Sequence, residues 1–234
     1  MKSYLMIFFL FTLPAATLAK GNESKAQDQI QKATNVLNEI MAAPDKSIPR
    51  DLLNKAVCVG IIPSELHFAF GFGGSYGRGM MVCRRHGNGP WGGPSMFILG
   101  GGNFGFQLGG QATDVIFLVM NASGAKKLLS SSVKLGADAS AAAGPVGRSA
   151  AAATDAQMHA EILTYSRSRG LFAGISLAGS VLKQDSKNNQ SLYGRKLTPK
   201  QILIEQIVGV PRAAAPLDRA LNKYSPHGGQ AFSA

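Results

Sequence analysis

Between residue 23 and Pro44, the apolar positions of the chain follow helical spacing. Small and aliphatic side chains recur at steps of three and four, which places them on one face of an amphipathic helix that Pro44 ends. These residues are Ala26, Ile30, Ala33, Leu37, Ile40 and Met41. Residues 20–43 hold three lysines and three acids, so we expect this helix to dock on the protein's own core. Ser47-Ile48-Pro49 predicts a short second helix through Lys55, because a serine cap and an early proline are typical of helix starts.

From residue 56 to Lys183 the dominant period is two, which is the period of a β-strand. The run AVCVGII predicts a buried strand that stops at Pro63. Further on, phenylalanine or leucine alternates with glycine, alanine or serine, and DVIFLVM adds a near-continuous apolar strand at 114–120. The alternating stretches are 68–73, 104–109, 133–153 and 171–178. Glycine weakens a strand unless it lets the sheet bend or another backbone approach, so these rows predict a strongly curled sheet with its Phe and Leu faces in the core.

Helical signals return in NASGAKKLLSS and in the last fifth of the chain. We predict a break at Asn188-Asn189, followed by helices over 198–207 and 215–224. Thr198 is the expected N-cap of the first of these, with Pro199 at its first position. The predicted fold class is α+β: a curled, mostly antiparallel glycine-rich sheet or barrel-like sandwich, with one N-terminal and two or three C-terminal helices.

The chain has 234 residues, which suits one ordinary core and predicts a single domain. Residues 1–19 read as a secretory signal peptide, with Lys2, an apolar run and the small-residue ending Thr17-Leu18-Ala19. An uncleaved signal anchor is the alternative, although the apolar run is short for a membrane span. We divide the chain into a signal peptide at 1–19, one domain at 20–225 and a disordered tail at 226–234. The expected location is periplasmic or secreted, with peripheral attachment to a membrane.

The charge of the chain points to an anionic partner. Its 24 basic and 13 acidic residues give +11, or +10 once the signal peptide and Lys2 are removed. Between Glu65 and Asp114 the chain has no acid. Nucleic acids and anionic lipid headgroups both attract such an excess, and for an exported protein lipid is the commoner neighbour. The alternative is that the charge only keeps the protein soluble.

Two clusters carry the strongest positive charge: Arg84-Arg85-His86 and the run YSRSRG at 165–170. Arg167 and Arg169 are two positions apart in an extended stretch, so their side chains are expected on one face. Serine hydroxyls and glycine amides between them are typical of a phosphate-binding rim. The predicted lipid-binding residues are Arg78, Arg84, Arg85, Arg167, Arg169, Lys183 and Arg195. A strand edge guarded by charge is the competing interpretation.

Cys58 and Cys83 are the two cysteines of the chain, and export allows them to form a disulfide. Two buried thiols are the alternative, since cysteine is among the most buried residue types. A zinc site formed with His67 and His86 has loose ligand spacing and is disfavoured. We predict no metal and no cofactor.

Three motifs resemble catalytic or nucleotide-binding sites but lack the structural context that those sites need. Residues 73–77 match G-x-S-x-G, with Asp114 and His159 in hydrolase order, yet the sequence after Ser75 is not helical. Residues 100–105 match G-x-G-x-x-G but run into a strand-like stretch. Phe104 and Phe106 imitate a nucleic-acid platform, although aligned phenylalanines are more typical of a core. We therefore expect neither an enzyme nor a nucleic-acid binder.

The order of these motifs resembles the SYLF-domain family of lipid-binding proteins across residues 30–223. The matching stretches are AVCVGIIP, GFGGSYGRGMMVCRR, Gly89-Pro90-Trp91 before Pro94, GGNFGFQLGGQATDVIFLVM, LGADASAAAGPVGR, YSRSRGLFAGISLAGS and Asn189 before Tyr193-Gly194. Gly92-Gly93 depart from the family's tryptophan motif, in which serine and proline often follow.

The resemblance implies a phospholipid-binding domain. Eukaryotic members bind phosphoinositide membranes, and some bind and bundle actin, usually beside a Src-homology or zinc-finger module. An exported chain makes actin an unexpected partner, which leaves anionic bacterial phospholipid. The predicted function is non-catalytic binding of anionic phospholipid through a basic rim, and the alternative is an envelope protein that binds another protein or a cell-wall polymer.

Overall fold

The computed structural model describes residues 16–43, 47–70, 72–103, 111–147, 159–168 and 171–226. Within these ranges the chain forms six α-helices and nine strands of one sheet. The helices are α1 (Ala16–Ala42), α2 (Arg50–Lys55), α3 (Ala122–Leu128), α4 (Ser186–Tyr193), α5 (Pro199–Leu203) and α6 (Ala215–Tyr224). The strands are β1 (Cys58–Phe70), β2 (Phe72–Cys83), β3 (Ser95–Asn103), β4 (Gln111–Val119), β5 (Ser132–Lys134), β6 (Ala141–Ala143), β7 (Ile162–Ser168), β8 (Leu171–Gly174) and β9 (Val181–Gln184).

The sheet is curled and almost entirely antiparallel, which confirms the predicted fold class. Its strand order is β5-β9-β3-β2-β1-β4-β7-β6, and β8 also pairs with β7. Among the described strands, the pair β6 and β7 alone is parallel. Helices α1 and α2 precede the sheet, as their sequence patterns predicted, and three helices follow it, in agreement with the predicted two or three.

The two faces of the sheet are buried by different helices. On the first face, Met80 and Leu118 pack with Ile30 and Leu37 of α1, and α2 and α6 complete this cluster. On the second face, Phe117 and its neighbours pack against α3 and α5. This arrangement explains the helical spacing of α1, whose six predicted core residues are all buried.

The strand predicted to stop at Pro63 instead continues to Phe70, so that prediction is wrong. The pairing of β1 shifts register between Ile62 and Glu65, and this bulge accommodates the proline, which has no N–H to donate. Ser64 takes a φ of +54° there and donates its backbone N–H to Asp114 Oδ1 at 3.0 Å. A Cβ on Gly79 would overlap the Ile61 carbonyl oxygen, so glycine lets the two strands approach at this bend.

Two further predictions in the last third of the chain are wrong. Asn188 and Asn189 do not break a helix but lie inside α4, where the side-chain oxygen Oδ1 of Asn189 accepts the backbone N–H of Met96 at 2.7 Å. On β8, Phe172 stacks on Tyr165 in the core, whereas Leu171 is exposed. The Phe and Leu positions of this strand alternate, so they cannot share one face. The predicted Phe104–Leu108 row lies outside the described residues.

Cys58 and Cys83 occupy directly opposed positions at the start of β1 and the end of β2. Their Cα atoms are 4.0 Å apart and their sulfur atoms are bonded. Both side chains are buried, and the bond lies in the cluster on the second face of the sheet. It removes both thiols from the set of zinc ligands considered above.

Candidate functional site

Arg84 is part of the core, so the prediction that it lies on a basic rim is wrong. Its side chain is 1% exposed. Nη2 donates to the carbonyl oxygen of Ser225 at 2.8 Å and to Ser225 Oγ at 2.5 Å, and Nη1 donates to the Gly89 carbonyl at 3.2 Å. Desolvation lowers the pKa of Arg84 to about 10, which still leaves it protonated at neutral pH. This guanidinium links the end of β2 to Gly89 and Ser225. Because it is buried, it cannot contact a lipid headgroup.

Arg167 lies between two carboxylates. Its Nε and Nη2 donate to Asp114 Oδ2 at 2.9 and 2.7 Å, and Nη1 donates to Glu39 Oε2 of α1. Desolvation acts to lower the pKa of Arg167, but the hydrogen bonds that Arg167 donates to Glu39 and Asp114 outweigh it and raise the pKa. Arg167 therefore fastens α1 to the paired strands β4 and β7, and the carboxylates of Asp114 and Glu39 already neutralise its charge. Arg169, its predicted partner, lies outside the described residues.

The four other predicted cations are exposed, and two of them share one row of the sheet. Arg78 on β2 is directly opposite Ile98 on β3, which is directly opposite Lys183 on β9. Directly opposed residues project to the same face, so the structure brings Arg78 and Lys183 to one side of the sheet. Arg85 and Arg195 lie outside this row, beyond the end of β2 and after α4.

Beside Arg78 lies an exposed apolar pair. Leu66 is directly opposite Tyr76, and these side chains are 45% and 42% exposed. Arg78 Nε donates to Tyr76 Oη at 2.7 Å, and the guanidinium carbon lies 5.8 Å from the centre of the tyrosine ring. Ala112 on β4 is the next residue of this row and is exposed as well.

These five residues, Leu66, Tyr76, Arg78, Ala112 and Lys183, form what we call the Tyr76 surface. Tyr76, Arg78 and Met80 are two positions apart along β2, so they project to the same face. Met80 packs under α1, so the surface is the uncovered continuation of the helix-covered face. Within the described part of the chain, Asp185 approaches it, with Oδ2 3.9 Å from Arg78 Nε. Asp185 is itself nearly buried and caps α4 by accepting hydrogen bonds from Asn188. The surface thus combines cations, an aromatic ring and an aliphatic side chain.

Reasoning from the sequence found Arg78 and Lys183 but missed Tyr76 and Leu66. Tyr76 drew attention only as one residue of a G-x-S-x-G match, and Leu66 lies next to a buried acid in an irregular pattern. The alternation of Tyr76 and Arg78 with glycine along 76–79 was the available signal. It could not show that helices cover only part of this face.

The hydrolase-like motif has the wrong context for a nucleophile elbow. β2 runs without interruption through Ser75, whereas the elbow needs a strand that turns sharply into a helix. Asp114, the acid that follows in hydrolase order, is occupied by Arg167 and Ser64. The described residues also contain no group of three or more metal-ligating side chains.

None of the helices in the described part of the chain combines the length and the apolar character that crossing a bilayer requires.

Comparisons with known proteins give a consistent result. Residues 100–224 match the family model described as "Ysc84: Las17-binding protein actin regulator". LAS seventeen-binding protein 3 of Saccharomyces cerevisiae is 36% identical over 217 residues, which cover 87% of this chain and 46% of that protein. Protein YSC84 of the same organism is 36% identical over 83% of this chain and 43% of its own length. SH3 domain-containing YSC84-like protein 1 of Bos taurus is 30% identical over 86% of this chain and 60% of its own length. The chain spans about half the length of the curated relatives it matches.

Proposed function

Because the chain belongs to the Ysc84, or SYLF-domain, family, we propose that it is a non-catalytic binding protein that attaches to anionic phospholipid through the Tyr76 surface. The observation that supports this most directly is the row formed by Arg78 and Lys183 beside the exposed Tyr76 and Leu66. The family description names a binding regulator, which agrees with the expectation of a protein without enzymatic activity.

The chemistry of this surface matches the interface of a charged bilayer. A lysine or arginine near an anionic membrane contributes about 1 kcal/mol, so two cations together with the +10 charge that remains without the predicted signal peptide support reversible attachment. Tyrosine has an apolar ring and a polar tip, and such side chains favour the headgroup level of a membrane. Leu66 adds apolar area that headgroup pairing alone would not require.

The proposed location is the periplasmic or extracellular side of a membrane. It rests on the signal-like residues 1–19, whose order of basic, apolar and small residues is typical of exported proteins. Anionic phospholipid is the abundant phosphate surface that an exported protein meets. No enzymatic step is part of this proposal.

A protein partner is the second candidate, and the names of the relatives favour it. One relative is named for binding LAS seventeen, and the family is described as an actin regulator. The exclusion of actin rested only on the predicted signal peptide, and these relatives do not support that exclusion. Leu66 and Tyr76 would suit an apolar protein contact as well as a bilayer.

Sedimentation with vesicles separates the two candidates. We expect the protein to bind phosphatidylcholine vesicles that contain phosphatidylglycerol, to bind pure phosphatidylcholine weakly, and to dissociate at high salt. The double variant Arg78→Gln/Lys183→Gln should lose about tenfold or more in vesicle affinity, since two cations are removed. Lys126→Gln, an exposed lysine on α3, is the matched control and should bind as the wild type does. Equal binding to neutral and acidic vesicles, or an unchanged double variant, would reject lipid binding through this surface.

A further inference from the structure

A second basic feature lies apart from the Tyr76 surface, in the cleft between α4 and α5. The cleft has a volume of about 290 Å³ and is lined by Ser186, Lys187, Gln190, Lys196, Leu197, Thr198 and Gln201. Drug-sized ligands occupy pockets of roughly 300–1,000 Å³, so this cleft suits a smaller molecule. Its lining contains two lysines and no carboxylate.

The charge in this cleft is not matched by the described part of the chain. Residues 186–200, which exclude Lys183 of the Tyr76 surface, contain four basic residues and no acid, which gives a local charge of +4. Asp185, which precedes this stretch, accepts hydrogen bonds from the backbone N–H and the side-chain amide of Asn188. Glu205, which follows α5, pairs with Lys200 at 3.0 Å. Neither Lys187 nor Lys196 forms an ion pair with any residue that the structure describes.

The walls of the cleft are held in place by the core. Asn189 of α4 bonds the backbone of Met96, and Tyr193 donates its hydroxyl to the Pro94 carbonyl at 2.8 Å. On the other side, Ile202 and Leu203 of α5 are buried in the second face of the sheet. The two lysines are therefore carried by segments whose positions are set before any ligand arrives.

The polar groups of the cleft are also ordered. Thr198 and Gln201 form a capping box, in which Thr198 Oγ1 accepts the Gln201 N–H at 3.2 Å and Gln201 Oε1 accepts the Thr198 N–H at 2.9 Å. This leaves the Gln201 side-chain NH₂ without a partner among the described residues. Ser186 and Gln190 add a hydroxyl and an amide. The lining thus supplies several donors around two ammonium groups.

We propose that this cleft binds a phosphomonoester. A phosphomonoester carries a charge of about −1.5 to −2 at pH 7 and three acceptor oxygens, which two lysines and several neutral donors complement. The phosphate can come from a lipid headgroup such as phosphatidic acid or from a small soluble phosphate. This site does not depend on the Tyr76 surface, so each proposal can fail without the other.

A calorimetric titration of the full chain with glycerol 3-phosphate tests the site without any vesicle. We expect saturable binding that weakens about tenfold or more in Lys187→Gln and again in Lys196→Gln, because each change removes one charge-assisted contact. Lys126→Gln should bind glycerol 3-phosphate like the wild type. Absence of saturable binding, or equal affinity in the double variant Lys187→Gln/Lys196→Gln, would overturn the proposal.

Vesicles identify the source of the phosphate. Phosphatidic acid presents a monoester and phosphatidylglycerol a diester, so vesicles of matched charge isolate the headgroup. If the source is lipid, the double variant loses the preference for phosphatidic acid and keeps its binding to phosphatidylglycerol. If the source is soluble, the double variant loses glycerol 3-phosphate binding while both vesicle affinities stay at the wild-type level. A loss of binding to both vesicle types to the same extent would contradict a monoester site, since it would mark the lysines as general surface charge.

Discussion

The guanidinium carbon of Arg84 lies 3.9 Å from the centre of the Trp91 ring. Both side chains donate to the carbonyl oxygen of Ser225, Arg84 through Nη2 at 2.8 Å and Trp91 through Nε1 at 3.1 Å. Ser225 follows α6, so the contact joins the end of β2 to the end of the last helix. Two motifs that carry the family resemblance, the double arginine and the tryptophan loop, thus meet in a structural role.

Replacing Arg84 should destabilise the protein without a direct effect on membrane binding. Arg84→Lys keeps the charge but loses the planar fork that reaches Ser225 and Gly89 together, so we expect a loss of about 2–4 kcal/mol in the free energy of unfolding. Urea denaturation measures this loss. The neighbouring Arg85→Lys is the control, because Arg85 is exposed and should change stability by less than about 0.5 kcal/mol. If the Arg84→Lys protein kept full stability but bound vesicles poorly, the result would instead support direct contact between Arg84 and the membrane.

Removing the Cys58–Cys83 bond should also lower stability. The bond closes a loop with a sequence separation of 25 residues, and bonds of this kind contribute roughly 2–4 kcal/mol. We expect the double variant Cys58→Ala/Cys83→Ala to unfold at a lower urea concentration than the oxidised wild type. Because unfolding exposes the disulfide, urea denaturation in the presence of a reductant should give the wild type a lower midpoint. The same reductant should not change the urea midpoint of the double variant, which has no disulfide. Identical midpoints for all three samples would show that the bond does not form in solution.

Acid should weaken the protein through Glu161. Desolvation acts to raise the pKa of this carboxyl, but hydrogen bonds from Lys127, Ser123 and the Ser140 backbone outweigh it and lower the pKa from 4.5 to about 2. A depressed folded-state pKa contributes stability that is complete above the unfolded value and is lost as pH falls towards the folded value. The stability difference between wild type and Glu161→Gln should therefore be constant above about pH 5 and shrink between pH 4.5 and 2. Melting temperatures across this range measure it.

Glu205→Gln is the control for the acid experiment, since Glu205 forms an exposed pair with Lys200. Exposed pairs contribute about 0–1 kcal/mol, so this variant should melt close to the wild type throughout. A difference between wild type and Glu161→Gln that does not change with pH would show that the carboxylate is not stabilised by its neighbours.

The ion pairs of Arg167, which fasten α1 to the sheet, should contribute to the stability of the protein more than to lipid binding. Asp114 is the less exposed partner, with 14% of its side chain accessible against 57% for Glu39. We expect Asp114→Asn to cost about 1–3 kcal/mol and Glu39→Gln about 0–1 kcal/mol, because solvent screens the exposed partner. Thermal denaturation compares the two. Arg167→Gln should still bind acidic vesicles when folded, and a selective loss of that binding would mean that lipid competes with these carboxylates.

Local sequence signals predicted the elements that depend on local physics. The apolar stripe of α1, the cap of α5 at Thr198 and the alternation that makes the sheet all follow from spacing and residue type. The strand end predicted at Pro63 was wrong because the pairing of β1 with β4 creates a bulge there, and a bulge tolerates a proline inside a strand. The break predicted at Asn188-Asn189 was wrong because the hydrogen bond between Asn189 and the Met96 backbone outweighs the weak helix propensity of asparagine.

The candidate site was less predictable because burial and ion pairing join distant parts of the chain. Arg84 meets Ser225 across 141 positions, and Arg167 meets Glu39 across 128. Nothing in the vicinity of either arginine in the sequence distinguishes it from the exposed Arg78. The shared row of Arg78 and Lys183 depended on the register of β3 and β9, which spacing alone does not determine.

The outer side of β7 is divided between two short strands, with β6 beside Ile162–Thr164 and β8 beside Tyr165–Ser168. The opposite border of the sheet is β5, which has three residues. Long open borders recruit other chains and seed aggregates, whereas short segments offer them little template. In the described part of this curled, glycine-rich sheet, the open edges are therefore divided into segments too short to template a growing fibril.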